Sequence, residues 1–122
     1  MRAVTLISVF SILASTASIP AAARPEHVRP GHSYYSDDYV VDGLVRDIAE
    51  ERNLEEVYQS YTYYEAVYDE AGRVAIFKED KRGERIRSEE YRYGGDGALR
   101  ERVVRRPGKP TETTTVKETD RK

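Results

Sequence analysis

Hydrophobic and polar residues alternate in short runs over residues 58–104, and glycine-containing turns separate the runs. The turn glycines are spaced 11, 14 and 11 residues apart and are Gly72, Gly83, Gly97 and Gly108. Apolar-containing runs interrupted at this interval are typical of consecutive antiparallel hairpins. The pattern therefore predicts strands over residues 57–68, 73–79, 84–93 and 98–105, and a weak last strand over residues 111–117.

A different period precedes the strands, and it predicts that residues 42–58 are helical for at least part of their length. Asp42 can cap the helix, and apolar side chains at helical spacing follow it at Leu44, Val45 and Ile48. Acidic residues fill the other face, which we interpret as solvated rather than as a docking surface. The predicted fold class is mainly β with a short N-terminal helix, as a small antiparallel β-meander of hairpin repeats.

The first residues have the features of a secretory signal peptide over residues 1–23. Arg2 precedes a mostly apolar run, and Ala21 to Ala23 end it with an A-x-A pattern. An uncleaved membrane anchor is the alternative, because residues 3–23 carry no charge. Several serines and threonines, together with Pro20, shorten the apolar stretch below the roughly 20 residues that a bilayer span needs.

The rest of the chain is predicted to hold one domain with irregular ends. Residues 24–41 contain prolines and both histidines and are expected to be a flexible leader. Residues 42–118 form the helix-plus-meander domain, and residues 119–122 are a charged tail. The predicted location is secreted or periplasmic, because of the signal-peptide pattern and because the chain has no cysteine to accept a bacterial lipid anchor. Burial and strand pairing must hold the domain together without disulfides.

Charge divides the chain into two halves. Residues 24–70 hold 4 basic and 12 acidic residues, whereas residues 71–122 hold 15 basic and 10 acidic residues. This asymmetry indicates either compensation within the molecule or a basic face that binds a polyanion. His27, His32, Asp37 and Asp38 fit no established metal-ligand spacing, and no cofactor or metal is expected.

A shift of 25 residues aligns the two halves of the meander at Tyr68 with Tyr93, Gly72 with Gly97, and Gly83 with Gly108. The segment YDEAGRV at residues 68–74 resembles the core of RHS/YD-repeat proteins. YRYGGDGALRE at residues 91–101 resembles a degenerate second copy, with aspartate displaced to Asp96 and arginine to Arg100. The resemblance implies β-hairpins. Family members assemble long arrays of them into shells around toxins or into adhesive stalks, and two copies imply only the local hairpin.

Catalysis is not predicted. The chain has no cysteine nucleophile, both histidines lie in the leader, and no phosphate-binding loop is present. The predicted function is an exported, non-catalytic binding or structural module of the cell envelope or extracellular space. The alternative is a secreted effector that acts on host or competitor proteins.

Two surfaces are candidates for binding a protein, a glycan or an anionic polymer. The first is an aromatic face that consists of Tyr61, Tyr63, Tyr64, Tyr91 and Tyr93. These rings form the core in the alternative interpretation. The second is a set of basic cross-strand rows that includes Arg85, Arg87, Arg100 and Arg102. Cross-strand ion pairs with the interleaved glutamates are the alternative there.

Overall fold

A computed structural model describes residues 28–117. The predicted signal peptide, His27 and the charged tail lie outside this range. The described chain contains eight strands and one helix: β1 Ser33–Ser36, β2 Tyr39–Asp42, β3 Val45–Ile48, α1 Leu54–Val57, β4 Thr62–Tyr68, β5 Val74–Lys81, β6 Glu84–Tyr93, β7 Leu99–Arg105 and β8 Glu112–Thr115. The described residues are therefore mainly β, as the alternating pattern predicted.

Six of the strands form one antiparallel sheet in the order β1-β4-β5-β6-β7-β8. From β4 to β8 each strand pairs with its neighbour in sequence, so this part of the sheet is a meander. The five strands that the glycine spacing predicted are all present, and their ends differ from the predicted ends by a few residues. The largest difference is at β4, which begins at Thr62 because Val57 belongs to α1.

The turn between β5 and β6 consists of Arg82 and Gly83, which have φ of 56° and 81°. Positive φ at both central residues is the signature of a type I′ turn, whose twist matches that of the flanking strands. Gly83 adopts this conformation freely, whereas Arg82 does so at a steric cost. The turn therefore contains one residue with a favourable backbone conformation and one with a strained backbone conformation.

The β4–β5 and β6–β7 hairpins have the same turn geometry, 25 residues apart. The Asp69 N–H donates to the Arg73 carbonyl at 2.8 Å, and the Gly94 N–H donates to the Ala98 carbonyl at 2.9 Å. Each turn also holds an aspartate–arginine pair at 3.0 Å, formed by Asp69 with Arg73 and by Asp96 with Arg100. The second pair is displaced along the chain, yet it has the same spacing of four residues.

The predicted helix over residues 42–58 is wrong for its first half. β2 and β3 form a hairpin there, with Asp42 paired to Val45 and Gly43 at φ 66° in the tight turn. Glycine at the first central position is typical of a type II′ hairpin turn. Only Leu54–Val57 is helical, and the Asn53 side chain caps it by accepting the Glu56 N–H at 3.0 Å.

The flexible leader expected over residues 24–41 does not describe residues 33–41. β1 pairs with β4 and places Ser36 opposite Tyr64, where Ser36 is fully buried. β2 begins at Tyr39, whose ring lies 4.9 Å from the Tyr64 ring. These contacts join the segment to the sheet. Its tyrosines supply apolar surface, of which the rest of the chain provides little.

The β2–β3 hairpin packs against one face of the six-stranded sheet, which we call the covered face. Residues from β3, β4, β5 and β6 form the core there: Ile48, Ala66, Tyr68, Val74, Phe77 and Tyr91. The opposite side is called the outer face, and the strand register places Lys78, Glu90 and Arg105 on it. The covered face therefore holds the main core, whereas the outer face carries more exposed charged side chains, together with the buried Tyr63 and Val103.

Candidate functional site

The five tyrosines proposed as an aromatic face do not share one exposed surface. Tyr63 and Tyr91 are buried, while Tyr64 and Tyr93 are partly buried and pack against the core. Tyr61 is the exception, with 59% of the residue exposed. Desolvation by burial raises the pKa of Tyr63, Tyr64 and Tyr91. Four of the five rings are therefore buried or partly buried, as expected from the alternative interpretation that they contribute to the core.

The four candidate arginines do not form continuous basic rows either. A register shift between Glu79 and Asp80 places Arg85 on the outer face with Asp80. Arg87 and Arg102 lie on the covered face and contact Glu89. Arg100 lies at the β6–β7 turn and pairs with Asp96. Each of the four has a carboxylate partner, but only the Arg85–Asp80 and Arg102–Glu89 pairs are cross-strand pairs as in the alternative interpretation.

Glu89 lies at the centre of the most extensive of these contacts, which we call the Glu89 cluster. One carboxylate oxygen lies 2.6 Å from Arg87 Nε and 3.3 Å from Arg46 Nε. The other lies 3.2 Å from Arg102 Nε and accepts the Tyr91 hydroxyl at 2.5 Å. The cluster therefore joins β3 of the covering hairpin to β6 and β7 of the sheet.

The Glu89 carboxylate has no solvent exposure, yet it stays ionised. Burial alone would raise its pKa, but hydrogen bonds from Tyr91 and Arg102 and the charge of Arg87 outweigh burial and lower the pKa. Burial and the hydrogen bond to Glu89 raise the pKa of Tyr91. Tyr91 therefore remains a neutral donor, and its oxygen accepts the Arg46 backbone N–H at 2.9 Å.

A second group of side chains surrounds the one exposed candidate tyrosine. The Tyr61 ring centroid lies 5.2 Å from Arg82 Cζ and 5.8 Å from Lys81 Nζ. The Arg82 N–H donates to the Tyr61 carbonyl at 2.8 Å, so the β5–β6 turn is held beside the start of β4. These residues form what we call the aromatic–cationic rim: Tyr61, Lys81 and Arg82.

Lys81 and Arg82 differ from most of the basic residues of the sheet. Within residues 28–117 neither has a carboxylate partner closer than 4.0 Å, although Glu84 is opposite Lys81 in the strand register. The glycine spacing predicted a turn at Gly83, but the neighbouring cations Lys81 and Arg82 were not among the predicted site residues. Their position at a hairpin tip was the available signal, because turn residues face solvent.

Two other kinds of site find no support in residues 28–117. No helix of this range is long and apolar enough to cross a membrane. In the same range no group of three or more histidine, aspartate or glutamate side chains is placed to hold a metal ion.

Glu89 is the residue that the sequence analysis missed. It was counted among the glutamates that dilute the basic charge, because its neighbour Glu90 has the same side chain and nothing local distinguishes the two.

Comparison with protein-family models, with curated proteins and with solved structures finds no match.

Proposed function

We propose that the protein is an exported, non-catalytic binding module of the cell envelope or extracellular space, and that its aromatic–cationic rim binds an anionic polymer, with an acidic glycan as the best-fitting chemistry. The observation that carries this proposal is the exposed Tyr61 ring flanked by Lys81 and Arg82, two cations with no carboxylate partner among residues 28–117. Export is supported by the signal-peptide pattern of residues 1–23.

Charge supports an anionic ligand. Cations engaged in intramolecular ion pairs have their field partly cancelled, whereas Lys81 and Arg82 keep theirs directed at solvent. A polymer with regularly spaced carboxylate or sulfate groups can meet both cations at once, and the interaction must weaken with salt because it is exposed.

The backbone of Arg82 supports the same conclusion. Its φ of 56° lies in the left-handed region, where asparagine or glycine fits with less strain. Strained backbone at a functional position costs about 1–3 kcal/mol and persists where the surroundings hold it. The Tyr61 carbonyl holds the Arg82 N–H in place, so the guanidinium is kept next to the ring.

An exposed aromatic ring gives the rim its contact area. Tyrosine combines a large apolar ring with a polar hydroxyl and is enriched at binding surfaces. Tyr61 is more than half exposed, unlike the other candidate tyrosines. A sugar ring can lie against such a face while its acidic substituents reach the neighbouring cations.

The test is binding of the processed chain to polygalacturonate, measured by affinity electrophoresis, with neutral dextran as the comparison polymer. We expect Tyr61→Ala and Arg82→Asn each to weaken binding by about fivefold or more, a loss of about 1 kcal/mol. Asparagine tolerates the left-handed backbone, so Arg82→Asn preserves the turn.

Arg105→Gln is the matched control, because it also removes one positive charge, from an outer-face residue that is paired with Glu90 at 2.8 Å. It should leave the affinity unchanged within about twofold. Equal binding to dextran, or equal losses in the control and the rim variants, would refute the proposed function.

A further inference from the structure

The Glu89 cluster holds more positive than negative charge. The guanidinium groups of Arg46, Arg87 and Arg102 all lie within 3.3 Å of the carboxylate of Glu89. Three cations around one anion leave an excess of two positive charges, since Tyr91 stays neutral. Like charges at this separation repel each other, and a second anion would relieve the repulsion.

The arginines also retain hydrogen-bond donors. Each guanidinium has five N–H donors, and the contacts with Glu89 run through the Nε atoms. Arg102 also interacts with the Tyr91 hydroxyl, and the Arg46 guanidinium lies 5.1 Å from the centroid of the Tyr39 ring, so these contacts use only part of the donor capacity of the three groups. Their side chains are 22%, 17% and 19% exposed, so each of the three remains partly accessible to solvent.

We propose that Arg46, Arg87 and Arg102 form a binding site for a dianionic oxyanion, a phosphate or sulfate group, on the solvent side of Glu89. The fork of guanidinium N–H groups matches the oxygen spacing of such an anion. Glu89 positions the arginines from the buried side, and the anion balances their remaining positive charge from the solvent side. This site is distinct from the aromatic–cationic rim and does not depend on the proposed function.

The competing interpretation is that the cluster only fastens the β2–β3 hairpin to the sheet. Both interpretations predict that losing an arginine destabilises the fold, so stability alone cannot separate them. They differ in their response to an added anion and to the charge of Glu89. The experiment therefore measures anion affinity rather than the cost of a substitution.

The experiment is isothermal titration of the processed chain with inorganic phosphate, against sodium chloride at equal ionic strength. We expect saturable phosphate binding with one site per chain. Arg87→Gln should raise the Kd at least about tenfold, and Arg102→Lys should raise it less because lysine keeps the charge but not the fork. Arg105→Gln should leave the Kd unchanged, since Arg105 lies on the outer face.

Glu89→Gln gives the sharpest outcome. Glutamine keeps the shape and one acceptor oxygen while the excess charge rises from two to three, so the Kd for phosphate should fall about threefold. Tyr61→Ala should have no effect on phosphate binding, which separates this site from the rim. Absence of saturable binding, or an Arg87→Gln Kd equal to that of the unsubstituted chain, would overturn the proposal.

Discussion

Glu89 and Glu90 are consecutive in β6, and the two glutamates meet different surroundings. Glu89 points to the covered face, has no exposure and is held by three arginines and the Tyr91 hydroxyl. Glu90 points to the outer face, where its side chain is 36% exposed and lies 2.8 Å from Arg105 and 3.9 Å from Arg92. Both glutamates are ion-paired, and only one of them is buried.

The difference shows why the number of ion pairs says little about stability. Water screens the Glu90 pairs, and such pairs contribute between 0 and about 1 kcal/mol. Glu89 is desolvated, so its negative charge must be stabilised by its partners, and the positive charges of the arginines must be stabilised by Glu89. Three experiments test whether the surroundings of Glu89 and Glu90 differ in this way.

The largest expected effect is that of removing the buried carboxylate. Glu89→Ala leaves three half-buried arginines without their shared anion, and breaking a buried ion pair by removing one partner costs about 3–5 kcal/mol. Glu90→Ala should cost less than about 1 kcal/mol. Urea unfolding monitored by circular dichroism measures both. Equal losses of unfolding free energy in the two variants would contradict the distinction between the two faces.

Acid should weaken the buried cluster next. The folded-state pKa of Glu89 lies below the usual value of 4.5, so its contribution is fully present above about pH 4.5. That contribution is lost as the pH falls through the lower folded-state pKa. We therefore expect the unfolding free energies of the unsubstituted chain and of Glu89→Gln to converge as the pH decreases from about 6 to about 2. A difference in unfolding free energy between the two chains that stays constant over this pH range would contradict the stabilising role of the ionised Glu89 carboxylate.

The smallest effect is expected for the coupling across the outer face. A double-mutant cycle with Glu90→Gln and Arg105→Gln should give a coupling of about 0.2–1 kcal/mol between these exposed side chains. About 1 M sodium chloride should abolish this coupling, because the Debye length then falls to roughly 3 Å. A coupling above about 2 kcal/mol that survives salt would show that the outer face is also desolvated.

The meander could be predicted because its signals are local. Gly72, Gly83, Gly97 and Gly108 have positive φ at the four turns between β4 and β8. The alternation along β4 likewise places Tyr64, Ala66 and Tyr68 on the covered face, opposite to Tyr63 and Val67. Backbone conformation at a turn and alternation along a strand require no knowledge of distant residues.

Residues 42–48 could not be assigned in the same way. Leu44, Val45 and Ile48 fit one face of a helix, and the same segment forms a hairpin in which Ile48 reaches the core. Short apolar runs are ambiguous between the two periods. The sheet decided the outcome, because a hairpin brings Tyr39 and Ile48 onto the rings of β4 and β5.

The sequence alone determined where the chain reverses between β4 and β8 and which side chains alternate along those strands, because glycine geometry and the pleat are properties of neighbouring residues. The tertiary structure decided which face is covered. Once the β2–β3 hairpin lay on one side, Glu89 became buried among arginines from three strands while Glu90 stayed at the surface. Burial depends on long-range packing, and no local property distinguishes these two glutamates.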